Sequence, residues 1–256
     1  VLLVEGDLKV SHGGKGNSTK QIKLSLPLQQ ITVNDMKKLV IFDLDGTLLD
    51  TVTDLAYSTN YALEQCGFPT HPVSNYKLFV GNGINKLFER ALPAEARTEE
   101  NVLKVRSHFI PYYNDHTMDA TAPYPGIPLL LKTLQDKGIR LAVASNKYQA
   151  ATEMLVNHYF AEFTFTEVLG QRDGIAIKPD PIIVYDILKK AGVTQKDVVY
   201  VGDSGVDMQT AKNAAITSIG VTWGFRPQTE LEENGASFIA GSAEEVSDLI
   251  VGMKST

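Results

Sequence analysis

The feature that most constrains this chain is a gap. The apolar run LVIF (39–42) and the next comparable run, IRLAVA (139–144), are separated by residues 43–138, which read as helix almost throughout. A simple strand–helix–strand crossover needs roughly a dozen residues and short loops. The excess predicts an inserted helical subdomain, residues 51–120, hung from a sheet domain made of 36–50 and 121–256. Its helices are expected near 51–67, 84–92 and 99–116. Beyond it, apolar β-rich runs at 139–144, 197–202, 216–221 and 236–240 alternate with amphipathic stretches at 127–138, 146–159, 180–192 and 204–215. That alternation predicts βαβ units and an α/β fold with a parallel sheet. Gly138 and Gly192 mark helix stops just past lysine-bearing last turns. Residues 1–35 read as an N-terminal extension with a polar stretch, SHGGKGNSTK, and no assignable role, so Met36 is the natural start of the domain.

Composition narrows the partners. Lys and Arg number 24 against 30 Asp and Glu, a formal net charge of -6, which argues against nucleic acid because phosphate-backbone binders carry a clustered basic excess. A single cysteine, Cys66, can make neither an internal disulfide nor a cysteine-based zinc site, and reads as a small apolar core residue. No apolar run approaches the ~18 residues of a membrane helix. The opening Val1–Val4 is broken by Glu5 and Asp7 and has no basic lead, so no signal peptide is expected. The expectation is a soluble, cytoplasmic protein, monomer or homodimer, acting on a small molecule. His71, His108, His116 and His158 follow no metal-ligand spacing.

Several strands end alike. LVIF runs into Asp43 and Asp45, IRLAVA into Ser145 and Asn146, and DVVYVG into Asp203 and then Asp207. In an open parallel sheet the carboxyl ends of the strands share one crevice, so these residues converge, with Lys178 in a loop able to reach them. Singly each has a plain reading: Asp45-Gly46 as a turn, Ser145 as a helix cap, Lys178-Pro179 as surface loop. Together they predict a divalent-metal and phosphate site. Crowded carboxylates need a cation, and Mg²⁺ prefers hard oxygen ligands. Lys178 and the amides following Ser145 supply positive potential for a phosphate dianion.

In order and spacing, DLDGT (43–47), Ser145-Asn146, Lys178-Pro179 and GDSGVD (202–207) resemble the motifs of the haloacid dehalogenase-like phosphatases. The resemblance spans residues 38 to about 240 and implies a Rossmann-like core with an inserted helical cap. Asp45 together with Thr47 points to the phosphatase branch. The resemblance makes Asp43 the nucleophile, Asp45 the proton donor and later the base, and Lys178 the group that stabilises the negative charge on Asp43 and the phosphate. Mg²⁺ would be held by Asp43, the Asp45 main-chain carbonyl and Asp203, with Asp207 supporting the metal waters or Lys178. Ser145 and Asn146 would bind phosphoryl oxygens, and Thr47 would count among the substrate-binding residues.

Further stretches, VGNGINKLFERAL (80–92), YPGI (124–127), SNKYQ (145–149), KPDP (178–181) and GVTWGF (220–225), are similar to the phosphoglycolate phosphatase subfamily. This implies 2-phosphoglycolate as substrate. Lys147 and the Gly81-Asn82-Gly83 stretch would then meet the substrate's far end. Arg90 reads equally as a contact there or as a solvated helix residue. Trp223 and Phe225 read as packing. The alternatives are another small phosphate or pyrophosphate as substrate, or a β-phosphoglucomutase-like phosphotransferase.

Overall fold

The computed structural model describes residues 36–253, so the reading of residues 1–35 as an extension lies outside the described residues. In chain order the elements are β1 (Leu39–Phe42), β2 (Leu49–Asp50), α1 (Val52–Gln65), α2 (Val73–Phe79), α3 (Ile84–Ala91), α4 (Glu99–His116), β3 (Ala122–Pro123), α5 (Ile127–Asp136) and β4 (Arg140–Tyr148). They continue with α6 (Gln149–Tyr159), β5 (Phe165–Gln171), α7 (Ile182–Ala191), β6 (Val198–Gly202), α8 (Gly205–Asn213), β7 (Thr217–Val221), α9 (Gln228–Glu233), β8 (Phe238–Ala240) and α10 (Ala243–Gly252).

Six strands form one parallel sheet in the order β5-β4-β1-β6-β7-β8. β1 is central and buried on both faces, which is why its sequence is an unbroken apolar run rather than an alternating one. Period-two geometry still sorts its residues. Val40 and Phe42 join the core built with α5, α6 and α10, whereas Leu39 and Ile41 join the one built with α7 and α8. Phe42 lies opposite Val143 on one side and Val201 on the other. The strand ends are therefore level, and the residues just past them meet at one edge. The chain places β4 and β5 on one side of β1 and then crosses to β6 on the other, which puts the topological switch at β1.

The helices α1 to α4 lie between β2 and β3, which pair antiparallel through Leu49↔Pro123 and Asp50↔Ala122. The chain thus leaves and re-enters side by side. Buried Asp54 of α1 fastens the return: Thr121 donates to its carboxylate from N at 2.8 Å and from Oγ1 at 2.7 Å, and Ala120 from N at 2.9 Å. The helices bury Leu63, Tyr76, Phe88, Phe109 and Tyr113 in an apolar core of their own, against which Cys66 packs, and which takes in Ala151 and Phe225 from beyond the insertion.

Some elements depart from the sequence reading. The helix expected from residue 146 begins at Gln149, because residues 145–148 continue β4 and Tyr148 pairs with Gln171 of β5. β5 itself was not expected. It is the sheet's edge strand, half-buried along most of its length, so FTEVLGQ lacks the apolar run of a central strand. Nor were the short α2, which buries only Tyr76, or α9, which buries only Leu231. Among the described residues, no helix is long and apolar enough to cross a membrane.

Candidate active site

Asp43 succeeds β1 while still in register with β6, its N–H donating to Val201 O at 2.9 Å. The chain then turns at Gly46, whose φ is +90° and whose added Cβ would lie 2.3 Å from Asp203 Oδ2. Only glycine satisfies both conditions. α8 supplies the opposite wall. Ser204 caps it, and Asp207 completes a reciprocal capping box by accepting from Ser204 N at 3.1 Å and Oγ at 2.6 Å. The second Asp207 oxygen faces Lys178, whose Nζ lies 2.7 Å from it, 2.9 Å from Asp43 Oδ1, 2.9 Å from Ala144 O and 3.1 Å from the Tyr200 hydroxyl.

Charge in this corner is unbalanced. Oxygens of Asp43, Asp203 and Asp207, all three residues buried, lie within 4.8 Å of one another, while Lys178 is the ammonium set between Asp43 and Asp207. Burial, then the Asp207 charge, drives the Asp43 carboxyl well above the usual carboxylate range, with Lys178 opposing. The same two causes push Asp203 up to about 7. For Lys178, burial works against the charge, yet Asp207 and Asp43 carry its pKa well above the ordinary lysine value. A donor set of hard oxygens with no nitrogen or sulfur, short of positive charge, fits Mg²⁺.

Asp45 belongs to a second group. Its carboxylate turns away from the triad, accepting from Thr51 Oγ1 at 2.7 Å and from Lys147 Nζ at 3.1 Å and 3.3 Å. Asp45 is therefore no side-chain ligand beside the other three. Any hold on the metal falls to its main-chain carbonyl. Lys147 is 8 % exposed, and its Nζ lies 4.8 Å from the centre of the Tyr113 ring. Burial opposes its charge, but Asp45 and then Tyr113 raise its pKa above the lysine range.

These groups face one cavity. Asp43, Asp45, Ser145, Asn146, Lys147 and Lys178 line the sheet side, and Leu55, Val80, Gly81, Gly83, Ile84, Leu87, Phe109 and Tyr113 line the helical side. The Asn146 side chain brackets the two halves: Nδ2 donates to Gly81 O and Lys178 O, each at 3.0 Å, and Oδ1 accepts from Lys178 N at 2.9 Å.

Three residues expected at the substrate lie elsewhere. Thr47 is wholly buried beneath the triad, its Oγ1 3.3 Å from Asp203 Oδ1. Arg90 spends its guanidinium inside the insertion, donating to Phe79 O at 2.8 Å and Asn82 Oδ1 at 2.7 Å. Both Arg90 and Asn82 thus brace the loop that carries Gly81 and Gly83, and neither lines the cavity. Sequence reasoning passed over two tyrosines. Tyr200 is a polar tip inside the otherwise apolar run VVYVG, a visible anomaly. Tyr113 gave no signal, because an aromatic on a helix reads first as packing.

The chain matches the model of the haloacid dehalogenase-like hydrolase family over residues 40–221. It is 31% identical over 224 residues to a phosphoglycolate phosphatase of Mannheimia succiniciproducens, covering 85% of this chain and 99% of that one. It is 36% identical over 214 residues to a phosphoglycolate phosphatase of Neisseria meningitidis, covering 81% and 91%. A crystal structure from Lactobacillus delbrueckii subsp. bulgaricus, of a protein provisionally named phosphoglycolate phosphatase, superposes with a TM-score of 0.80 at 38% identity, covering 85% of this chain and 99% of that one.

Proposed function

The chain belongs to the haloacid dehalogenase-like hydrolases and is a phosphatase of that family; we propose that its substrate is 2-phosphoglycolate and that it works with Mg²⁺ through an aspartyl-phosphate. The observation that carries this reading is the separation of the two aspartates of DLDGT. Asp43 is paired with Lys178 and faces the triad, whereas Asp45, two residues on, is paired with Lys147 and faces the helical side. A nucleophile and a proton donor must work on opposite ends of the breaking bond, and the turn divides them that way.

In the proposed reaction an Asp43 oxygen attacks phosphorus while the P–O bond to the glycolate oxygen breaks. That oxygen takes a proton from Asp45. Water then attacks the phosphorus of the aspartyl-phosphate as Asp45 takes up its proton, releasing inorganic phosphate and restoring Asp43. Lys178 neutralises part of the charge gathered at Asp43, and Ser145 with the Asn146 amide receives phosphoryl oxygens. Mg²⁺, held by Asp43, Asp203 and the Asp45 main chain, would supply the charge neutralisation that lets a carboxylate approach a phosphate dianion. Residues 51–120 act as the cap that closes over the substrate and excludes water.

A panel of small phosphate esters tests this directly. 2-Phosphoglycolate should show the highest kcat/KM, and turnover should stop on chelation with EDTA and return with added Mg²⁺. A preference for hexose phosphates, or full activity in metal-free buffer, would overturn the reading.

A further inference from the structure

The loop after β7 makes a contact that the proposed chemistry does not use. We propose that Arg226 is a positioning residue that fastens the loop bearing Gly81 and Gly83 to the sheet domain and so sets how often the two halves of the cavity meet. This rests on reading residues 51–120 as a moving cap.

The side chain is only 10 % exposed, and its guanidinium donates across the chain to the carbonyl oxygens of Lys77 and of Val80, the latter at 2.8 Å, with Leu78 O at 3.4 Å. These carbonyls lie at and just past the C-terminal end of α2, where backbone oxygens lack helical partners and carry the negative end of the helix dipole. A planar fork spreads its N–H groups over separate nitrogens and so meets oxygens spaced along the backbone, whereas a lysine has all its donors on one nitrogen. On the sheet side, Arg226 Nε is 3.4 Å from Glu230 Oε1, and that same oxygen accepts from the N–H of Gly205, the first residue of the helix carrying Asp207. The preceding residue is tied down as well, Phe225 N donating to Asp203 Oδ2 at 2.7 Å. Arg226 thus stands at the end of a short chain of contacts running from the carboxylate triad to the glycine loop. Arg90 grips that loop from within the insertion, at Phe79 O and Asn82, close enough to feel the Arg226 charge. Two cations side by side on one loop are held there by its carbonyls.

A substrate that is covered on binding must enter while the cap is away from the sheet edge, so the bonds of Arg226 to residues 77–80 break and re-form in each turnover. Without them the closed form is less populated, and apparent affinity falls by that population factor. Saturating substrate restores closure through its own contacts, so kcat suffers less than KM.

The test compares the full chain with Arg226→Ala and Arg226→Lys by amide hydrogen exchange and by steady-state kinetics on 2-phosphoglycolate. Exchange over residues 77–83 should rise by about tenfold or more in Arg226→Ala while α8 stays protected, with Arg226→Lys intermediate. KM should rise about 10–100-fold in Arg226→Ala, the usual scale for losing charged hydrogen bonds, with kcat changing by less than about threefold. Unchanged exchange over 77–83, faster exchange with an unchanged KM, or a fall in kcat that tracks lost folded protein would each overturn the proposal. Absence of 2-phosphoglycolate turnover in the unmodified chain would defeat the substrate reading instead, and the exchange measurement would still decide the role of Arg226.

Discussion

The sheet face of the cavity and its helical face handle charge in opposite ways. On the sheet side, Asp43, Asp207 and Lys178 are locked together at 2.7–2.9 Å, and Asp45 pairs with Lys147 at 3.1 Å. The helical face presents Leu55, Val80, Ile84, Leu87, Phe109 and Tyr113, whose one polar side-chain atom is a phenol oxygen, together with the backbone of Gly81 and Gly83. The sheet side is built from strand ends that a parallel register forces together, so its polar groups are fixed before any ligand arrives and can stabilise developing charge without reorganising. The helical side is an apolar surface tied to the sheet side through the backbone of its glycine loop, which Asn146 and Arg226 hold. On the proposed function, the difference gives phosphoryl chemistry to one face and recognition of the rest of the substrate to the other.

The largest effect should come from breaking the sheet side at its centre. Asp43→Asn keeps the size of the side chain and removes the oxygen anion that the proposed reaction uses for attack, so turnover should fall at least ~10³-fold. Circular dichroism and the melting transition should show a folded chain. Near-unmodified turnover by the folded variant would mean that the covalent centre lies elsewhere.

Much of the sheet side was legible because parallel-sheet geometry converts sequence into position. A buried central strand must be apolar throughout, so the residue that ends LVIF is marked, and the level register of β1 with β4 and β6 does the rest. The helical side has no such rule. Arg90 lies on the VGNGINKLFERAL stretch, yet its guanidinium turns to Phe79 O, a carbonyl freed at the end of α2, and to Asn82. Sequence spacing places a side chain on a helix face and says nothing of which acceptor that face meets. Asp45 shows a milder form of the same limit. Its place beside Asp43 was evident, but its turn toward Lys147 rests on Thr51 and on the continuation of β4 through residue 147.

A middle-sized effect should come where the two faces touch. Lys147 belongs to β4 but lies over the Tyr113 ring of α4. Lys147→Ala removes a charged contact, worth about 1.5–3 kcal/mol, or roughly 10–150-fold in kcat/KM for 2-phosphoglycolate. It also leaves Asp45 without its counter-charge. An aryl phosphate such as 4-nitrophenyl phosphate has a leaving group that departs without protonation and offers no carboxylate, so it should lose far less. Equal losses on both substrates would show that Lys147 serves the phosphoryl end and would erase the division between the faces.

The smallest and most discriminating effect should come from Tyr113→Phe, which deletes one oxygen from the helical face. The side chain is wholly buried in the stack with Phe109, ring centres 5.0 Å apart, so the ring fixes its position and the variant should keep it. Its hydroxyl is buried beside Lys147 and Thr117 but makes no hydrogen bond of good geometry with either, and burial raises the phenol pKa, leaving a neutral donor. A buried hydroxyl whose hydrogen bonds are poorly formed costs stability, up to about 1–3 kcal/mol when nothing compensates. Removing it should therefore leave the melting temperature unchanged or raise it. If the hydroxyl waits for the substrate's carboxylate, the same substitution should raise KM for 2-phosphoglycolate by about 3–10-fold, the range of a single hydrogen bond of about 1 kcal/mol, and leave kcat on 4-nitrophenyl phosphate alone. Opposite signs in stability and affinity are the mark of a polar group kept for a ligand rather than for the fold. A loss of stability with no change in KM would instead make Tyr113 a packing residue and the helical face wholly apolar.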